Sequence, residues 1–274
     1  VETPALVASD VDGTLLDPME RVTARTAAAV RRVVSAGTPF VLVTGRPPRW
    51  VMPVVDALGV TGLAVCANGA VVYDTAERRV LRAELLEPVL LHDVASTLDR
   101  ALPGCAVAVE RVGHHAGTFF AENRYRHFLA EPNYEHAWPD ADSSEAQRAE
   151  ILGHPAIKLL VRHQEMSSAE MAAAAGEMLG SAVDITYSTG AGLLELSAPG
   201  VTKATGLAAV AELLGVDRSD VAAFGDMPND LPMLRWAGHG VAMANAHPEV
   251  LAVADEVAAP NSADGVAQVL ERWF

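Results

Sequence analysis

Four short apolar runs along the chain share one design. Residues 5–9 (ALVAS) lead into Asp10 and Asp12, 40–43 (FVLV) into Thr44-Gly45-Arg46, 63–67 (LAVCA) into Asn68-Gly69, and 221–224 (VAAF) into Gly225-Asp226. Continuous runs of this length read as strands buried on both faces, the habit of parallel sheets. Between them the spacing turns helical. Ala27, Val30, Val33 and Val34 form one stripe over residues 23–36, with Thr23 placed to cap it and Gly37 beyond its end; a second helix is predicted over 48–58. In open α/β sheets ligands bind beyond the carboxyl ends of the strands. All four runs end there in polar or glycine residues, so the pattern predicts one shared site.

From 84 to 198 the pattern changes. It predicts a helix near 87–101, strands over 105–112 (CAVAVERV) and 117–121 (GTFFA), a polar stretch over 131–148, a strand over 156–161 (AIKLLV), a helix near 167–179, and a strand pair over 183–188 and 192–197. Neighbouring strands of this kind predict α+β with an antiparallel sheet. The α/β pattern then resumes, with helices over 202–214 and 230–236, strands over 221–224 and 240–244, and closing helices over 247–253 and 265–273. The expected organisation is a Rossmann-like α/β parallel-sheet core, residues 1–83 and 199–274, carrying an inserted α+β domain at 84–198.

Composition narrows the function. Half of the 274 residues are hydrophobic and a fifth are charged, enough for an ordinary globular core. Twenty basic against 35 acidic side chains give −15, which argues against nucleic-acid binding through a broad basic face. Any anionic substrate must therefore meet a local island of positive charge. Cys66 and Cys105 lie in apolar surroundings without metal-ligand spacing and read as reduced core residues. No signal-like start and no run of about 18 apolar residues is present, so a cytoplasmic location without membrane attachment is expected.

Against that background the polar tips acquire chemistry. Asp10 and Asp12 are one residue apart, and alternation along an extended segment places them on one side. Two unit charges about 4 Å apart repel by about 4 kcal/mol at an effective dielectric of 20, so a divalent cation or a shared proton is expected, and hard oxygen donors favour Mg²⁺. A plain Asp-Gly turn is the alternative. Thr44 either caps the following helix or grips a phosphate oxygen with nearby N–H groups, assisted by Arg46. Lys203 opens a helix, where a cation opposes the helix dipole; aimed into a carboxylate-lined cleft, it would neutralise both those groups and an incoming phosphate. Asp226, Asn229 and Asp230 form a second polar cluster in GDMPNDLPML, although Asn229 or Asp230 also suits a helix cap.

The stretches DVDGTLL, VTGR, GVTK and GDMPNDLPML, in that order, resemble the four motifs of the haloacid dehalogenase superfamily of phosphotransferases. NGA at 68–70, the insertion between the second and third motifs, and GVAMANA at 240–246 resemble its Cof-type sugar-phosphatase branch. The likeness covers almost the whole chain; Met227-Pro228 and Pro232 depart from the fourth motif but spare its acids. The resemblance implies Asp10 as nucleophile and Mg²⁺ ligand. Asp12 would be the general acid/base and bind the metal through its backbone carbonyl. It further implies Thr44 and Lys203 on the phosphoryl group, Asp226 as the last protein ligand to the metal, Asn229 near the phosphate, and Asp230 orienting Lys203 or a metal-bound water. Gly13, Gly45, Arg46 and Asn68 complete the expected phosphate and substrate contacts, and the insert would be the cap that reads the leaving group.

The expected activity is thus Mg²⁺-dependent hydrolysis of a small phosphorylated metabolite, a sugar phosphate by class, through an aspartyl-phosphate, by a monomer or small homo-oligomer. A phosphosugar mutase and a non-catalytic phospho-ligand sensor of the same fold are the alternatives. A signalling receiver fits poorly, because no lone Asp follows FVLV or LAVCA. The pair His114-His115 and the Arg124-Tyr125-Arg126 run are candidate substrate contacts in the insert. Lys158 is expected to face water, and Trp50, Trp138, Trp236 and Trp273 to serve packing.

Overall fold

The computed structural model describes residues 3–112, 127–136, 143–187 and 189–274. The expectations for 117–121, His114-His115, Arg124-Tyr125-Arg126 and Trp138 lie outside the described residues. Strands β1 to β5 are Leu6–Ser9, Phe40–Val43, Leu63–Cys66, Val71–Asp74 and Arg79–Ala83; β6 to β11 are Ala106–Glu110, Phe128–Ala130, Ser143–Glu145, Lys158–Arg162, Asp184–Thr186 and Leu193–Ser197; β12 to β14 are Val221–Gly225, His239–Met243 and Glu256–Ala258. Helices α1 to α9 are Ala24–Ser35, Pro48–Leu58, Pro88–Ala101, Arg148–Leu152, Ser168–Leu179, Lys203–Leu214, Leu231–Trp236, Pro248–Leu251 and Gly265–Trp273. The chain divides into two compact units, Val1–Arg82 with Thr202–Phe274, and Ala83–Val201.

The first unit is built on one sheet, ordered β14-β13-β12-β1-β2-β3-β4-β5. Strands from β14 through β3 run parallel, and β4 turns back antiparallel on β3. The apolar runs bury both faces, as parallel strands covered by helices must. Leu6, Ala8, Val41, Val43, Val65, Val221 and Ala223 share a core with Leu207 and Val210 of α6 and Met233 and Leu234 of α7. By alternation Val7 and Leu42 point to the opposite face, and α1 packs against α2 and α9. Thr23 caps α1 as expected, its side chain accepting from the Thr26 N–H. Strands β4, β5 and β14 were not expected. They are short, and β5 is largely exposed, so no sustained apolar run marks it.

The second unit carries a sheet ordered β10-β11-β9-β6-β7-β8. Its pairings are antiparallel except β7 with β8, which is parallel and corrects the expectation of a purely antiparallel sheet. Val107, Val109, Leu159, Val161, Leu194 and Leu196 on one face form a core with Leu91, Leu98, Met171 and Leu179 from α3 and α5. The other face carries Ala108, Phe128, Ala130, Leu160 and Leu193 under Tyr134. It also carries Lys158, which is buried and paired with Glu195 at 2.9 Å rather than turned to water. Alternation puts Lys158 beside Leu160 on this less apolar face, and a buried ammonium requires such a partner. Cys66 and Cys105 are buried and form no disulfide among the described residues. Among the described residues no helix is long and apolar enough to cross a membrane.

Candidate active site

The four predicted tips do meet, because β12, β1, β2 and β3 are consecutive neighbours in the sheet. Ser9 lies opposite Phe224 in the register, and the Asp10 N–H still donates to the Phe224 carbonyl at 2.9 Å. That bond carries the pairing one residue beyond the strand and brings Asp10 to the Gly225–Asp226 turn. The chain then leaves extended geometry in a wide turn, Val11–Leu15, closed by the Leu16 N–H on the Val11 carbonyl. Gly13 turns the corner at φ 79°, and a Cβ there would lie 2.2 Å from Asp226 Oδ2. Only glycine allows that approach. Thr14 Oγ1 then donates to Asp226 Oδ1 at 2.8 Å.

Lys203 is the positive charge that the acidic composition demanded. Its Nζ donates to Asp10 Oδ1 and to Asp230 Oδ1, each at 2.6 Å, and the residue is 1% exposed. Thr202 caps α6 and fixes its first turn. Asp230 does not cap α7; its Oδ2 accepts the N–H groups of Asp226 and Met227, each at 2.9 Å. Both Asp230 oxygens are therefore engaged in holding Lys203 and shaping the Asp226 turn.

Asp10, Asp226 and Asp230 offer ligand atoms all within 4.8 Å of one another, a group able to hold a metal ion. Three buried carboxylates lie around one buried ammonium, which bonds two of them, Asp10 and Asp230. Burial, reinforced by Asp230, Asp226 and Asp12 against Lys203, holds the Asp10 carboxyl well above the ordinary range. Burial and Asp230 push Asp226 up to about 6, with Thr14 and Lys203 opposing. Burial works against the charge of Lys203, but Asp10 and Asp230 outweigh it and raise its pKa. The surplus negative charge is what a bound divalent cation relieves. The Asp10 and Asp226 carboxyls also bond one another through their side chains.

Asp12 corrects the expectation of two carboxylates side by side. It stands outside the buried acidic group, its side chain 52% exposed and forked onto Arg46, with Nε to Oδ2 at 2.9 Å and Nη2 to Oδ1 at 2.5 Å. The two-residue alternation fails because the strand ends at Ser9 and the wide turn begins at Val11. Arg46 is thus committed to Asp12 rather than offered to solvent. Thr44 is buried, and its Oγ1 accepts the Arg46 N–H at 3.1 Å; the residue capping α2 is Pro47, so Thr44 does not cap that helix. Asn68 is 3% exposed and accepts from Asn229 Nδ2 at 3.1 Å, while a Cβ on Gly45 would lie 3.1 Å from Asn68 Oδ1.

Sequence reasoning assigned no role to Thr14, Asn245 or Asn261. Asn245 Nδ2 donates to the Gly13 carbonyl at 2.9 Å, its Oδ1 accepts the Asn261 N–H, and Asn261 Nδ2 donates to the Leu16 carbonyl. Together they brace the turn that follows Asp10. The available signal was positional: Asn245 follows β13, the next parallel strand beyond β12.

A family model described as haloacid dehalogenase-like hydrolase matches residues 7–270. The phosphatase YwpJ of Bacillus subtilis is 28% identical, over 97% of this chain and 98% of its own. The 5-amino-6-(5-phospho-D-ribitylamino)uracil phosphatase YcsE of the same organism is 27% identical, over 98% of this chain and 95% of its own. A solved haloacid dehalogenase-like hydrolase from B. subtilis shares the fold with a TM-score of 0.81 at 24% identity, covering 98% of this chain and all of the other. The chain belongs to the haloacid dehalogenase-like hydrolases, and within them to the Cof-type phosphatases.

Proposed function

We propose that the protein is a Mg²⁺-dependent phosphatase that hydrolyses a small phosphorylated metabolite, a sugar phosphate by class, through an aspartyl-phosphate intermediate. The observation that carries this reading is buried Lys203 bridging Asp10 and Asp230 beside Asp226. It combines a nucleophilic carboxylate with the cation needed to bring a phosphate dianion to it. The relative YcsE, whose substrate carries a phosphoribityl group, supports the sugar-phosphate class.

The acidic surplus and the all-oxygen donor set fit Mg²⁺. The Asp10 and Asp226 carboxylates and the Asp12 backbone carbonyl would hold it, and when bound it would neutralise charge on the phosphoryl oxygens. Asp10 attacks phosphorus as the bond to the leaving oxygen breaks, and Asp12 supplies the proton that the leaving alkoxide takes. Asp12 then accepts a proton from the water that attacks the aspartyl-phosphate, releasing phosphate and restoring Asp10. Thr44, Lys203 and Asn229 hold the phosphoryl group, and Asp230 keeps Lys203 aimed. Gly13 and Gly45 leave room for close backbone approach. The α+β unit, as the cap, is assigned the choice of leaving group.

Both oxygens of Asp12 are bonded to Arg46, so protonating either one forfeits a charge-assisted hydrogen bond. Proton delivery therefore requires this fork to open. The deciding experiment is a turnover screen across phosphorylated sugars, nucleotides and cofactors, with Mg²⁺ and with EDTA. Phosphate release that EDTA abolishes is the expected result. Isomer formation without release would instead mean a mutase, and binding without turnover a sensor.

A further inference from the structure

Three successive residues after β3, namely Ala67, Asn68 and Gly69, have positive φ (52°, 57° and 110°). Alanine is poorly suited to this region, and such a run persists only where its surroundings over-determine it. Here they do. The Ala67 N–H donates to the Arg46 carbonyl at 2.9 Å and the Asn68 N–H to the Thr44 carbonyl at 3.0 Å. Gly69 is pressed so closely on α6 that a Cβ would lie 2.0 Å from the Thr202 carbonyl oxygen.

The strained turn delivers one side chain to the interior. Asn68 Oδ1 accepts from Asn229 Nδ2 and lies over Gly45. Asn229 Oδ1, by contrast, is buried and has no hydrogen-bond partner among the described residues. This amide is held at its nitrogen, and its oxygen still needs a hydrogen-bond donor, which a ligand's hydration or a protonated ligand group supplies.

We propose that Asn68 is a positioning residue, acting through Asn229, that fixes which end of the Asn229 amide meets the phosphoryl group. With one Nδ2 proton committed to Asn68, the direction of the second is fixed as well. Without Asn68 the amide is free to exchange ends, and its oxygen facing a phosphoryl oxygen repels where the N–H attracts. The inference rests on the phosphatase reading, in which Asn229 lies at the phosphate.

The test compares Asn68→Gly, which keeps the left-handed backbone and deletes the amide, with Asn229→Ala and the double variant. The readouts are kcat and KM for p-nitrophenyl phosphate with Mg²⁺, the inhibition constant of inorganic phosphate, and the melting temperature. Asn68→Gly is expected to weaken both kcat/KM and phosphate inhibition by about tenfold, the cost of one misdirected hydrogen bond to a charged group. The double variant should lose scarcely more than Asn229→Ala alone. Retention of wild-type kcat/KM and phosphate inhibition in Asn68→Gly, or losses that simply multiply in the double variant, would overturn the proposal. Should Asn68→Gly not fold, the wild-type protein labelled with ¹⁵N decides. One Asn229 side-chain proton should be protected from exchange before phosphate is added, and the other should shift on its addition; two freely exchanging, unshifted protons refute the inference. If the wild type binds phosphate but turns over nothing, the phosphatase reading fails while this amide measurement still judges Asn68.

Discussion

At the scale of single residues, the site depends on how Lys203 distributes one positive charge. Removing one partner from a buried ion pair leaves the others uncompensated and costs about 3–5 kcal/mol. Lys203→Met is accordingly expected to lower stability by about that amount in a denaturant titration and to reduce phosphate release at least about 100-fold. Asp10→Asn removes the proposed nucleophile but also relieves a crowded acidic group. It should abolish release while leaving the Mg²⁺-free melting temperature at or above that of the wild type; turnover at the wild-type rate would refute the nucleophile. Asp12→Asn should slow alkyl phosphates far more than p-nitrophenyl phosphate, whose leaving group needs no proton, and equal losses on both would exclude proton donation. Residue types at these positions were readable from the chain. The directions of their side chains were not: Asp12 points to Arg46 because the strand has ended at Ser9 and the turn begins at Val11.

At the scale of elements, the critical seam lies between the turn after β3 and the first turns of α6. A Cβ on Gly206 would lie 2.4 Å from Val65 Cγ1 and 2.8 Å from the Gly69 Cα, so the two elements touch backbone to backbone. This seating brings Lys203, a cation at a helix start, to Asp10 despite the opposing dipole. Gly206→Ala should therefore lower both the melting temperature and phosphate release, although alanine is the better helix former by about 1 kcal/mol. A raised melting temperature with unchanged turnover would show that the seam has slack. The helices and buried strands were legible because apolar periodicity and caps are local signals, as at Thr23 and α1. Strand β5 was not, since its exposed residues carry no such period and it is recognisable only by its place next to β4.

At the scale of the whole molecule, charge and protons are linked. In the metal-free protein the pKa of Asp226 is raised to about 6 and that of Asp10 is also raised. A raised carboxyl means that the folded state holds protons the unfolded chain would release. The contribution of Asp226 to stability is therefore full below about pH 4 and lost as the pH climbs through about 6, and that of Asp10 has the same sign. On the proposed reading Mg²⁺ would compete for the same oxygens and displace those protons, so the rise in melting temperature on adding Mg²⁺ should be small at about pH 5 and large at about pH 7.5. A Mg²⁺ effect independent of pH would exclude these carboxylates as its ligands. The sequence by itself determined that polar tips follow apolar runs, and with them the α/β class, because burial on both faces of a strand is written in consecutive residues. Tertiary structure alone decided that Asp10 and Asp230 share one lysine beside Asp226, and that Asp12 leaves them for Arg46. Those partners lie up to 193 residues from Lys203, and strand register together with the turn at Gly13 brings them together, beyond the reach of any local pattern.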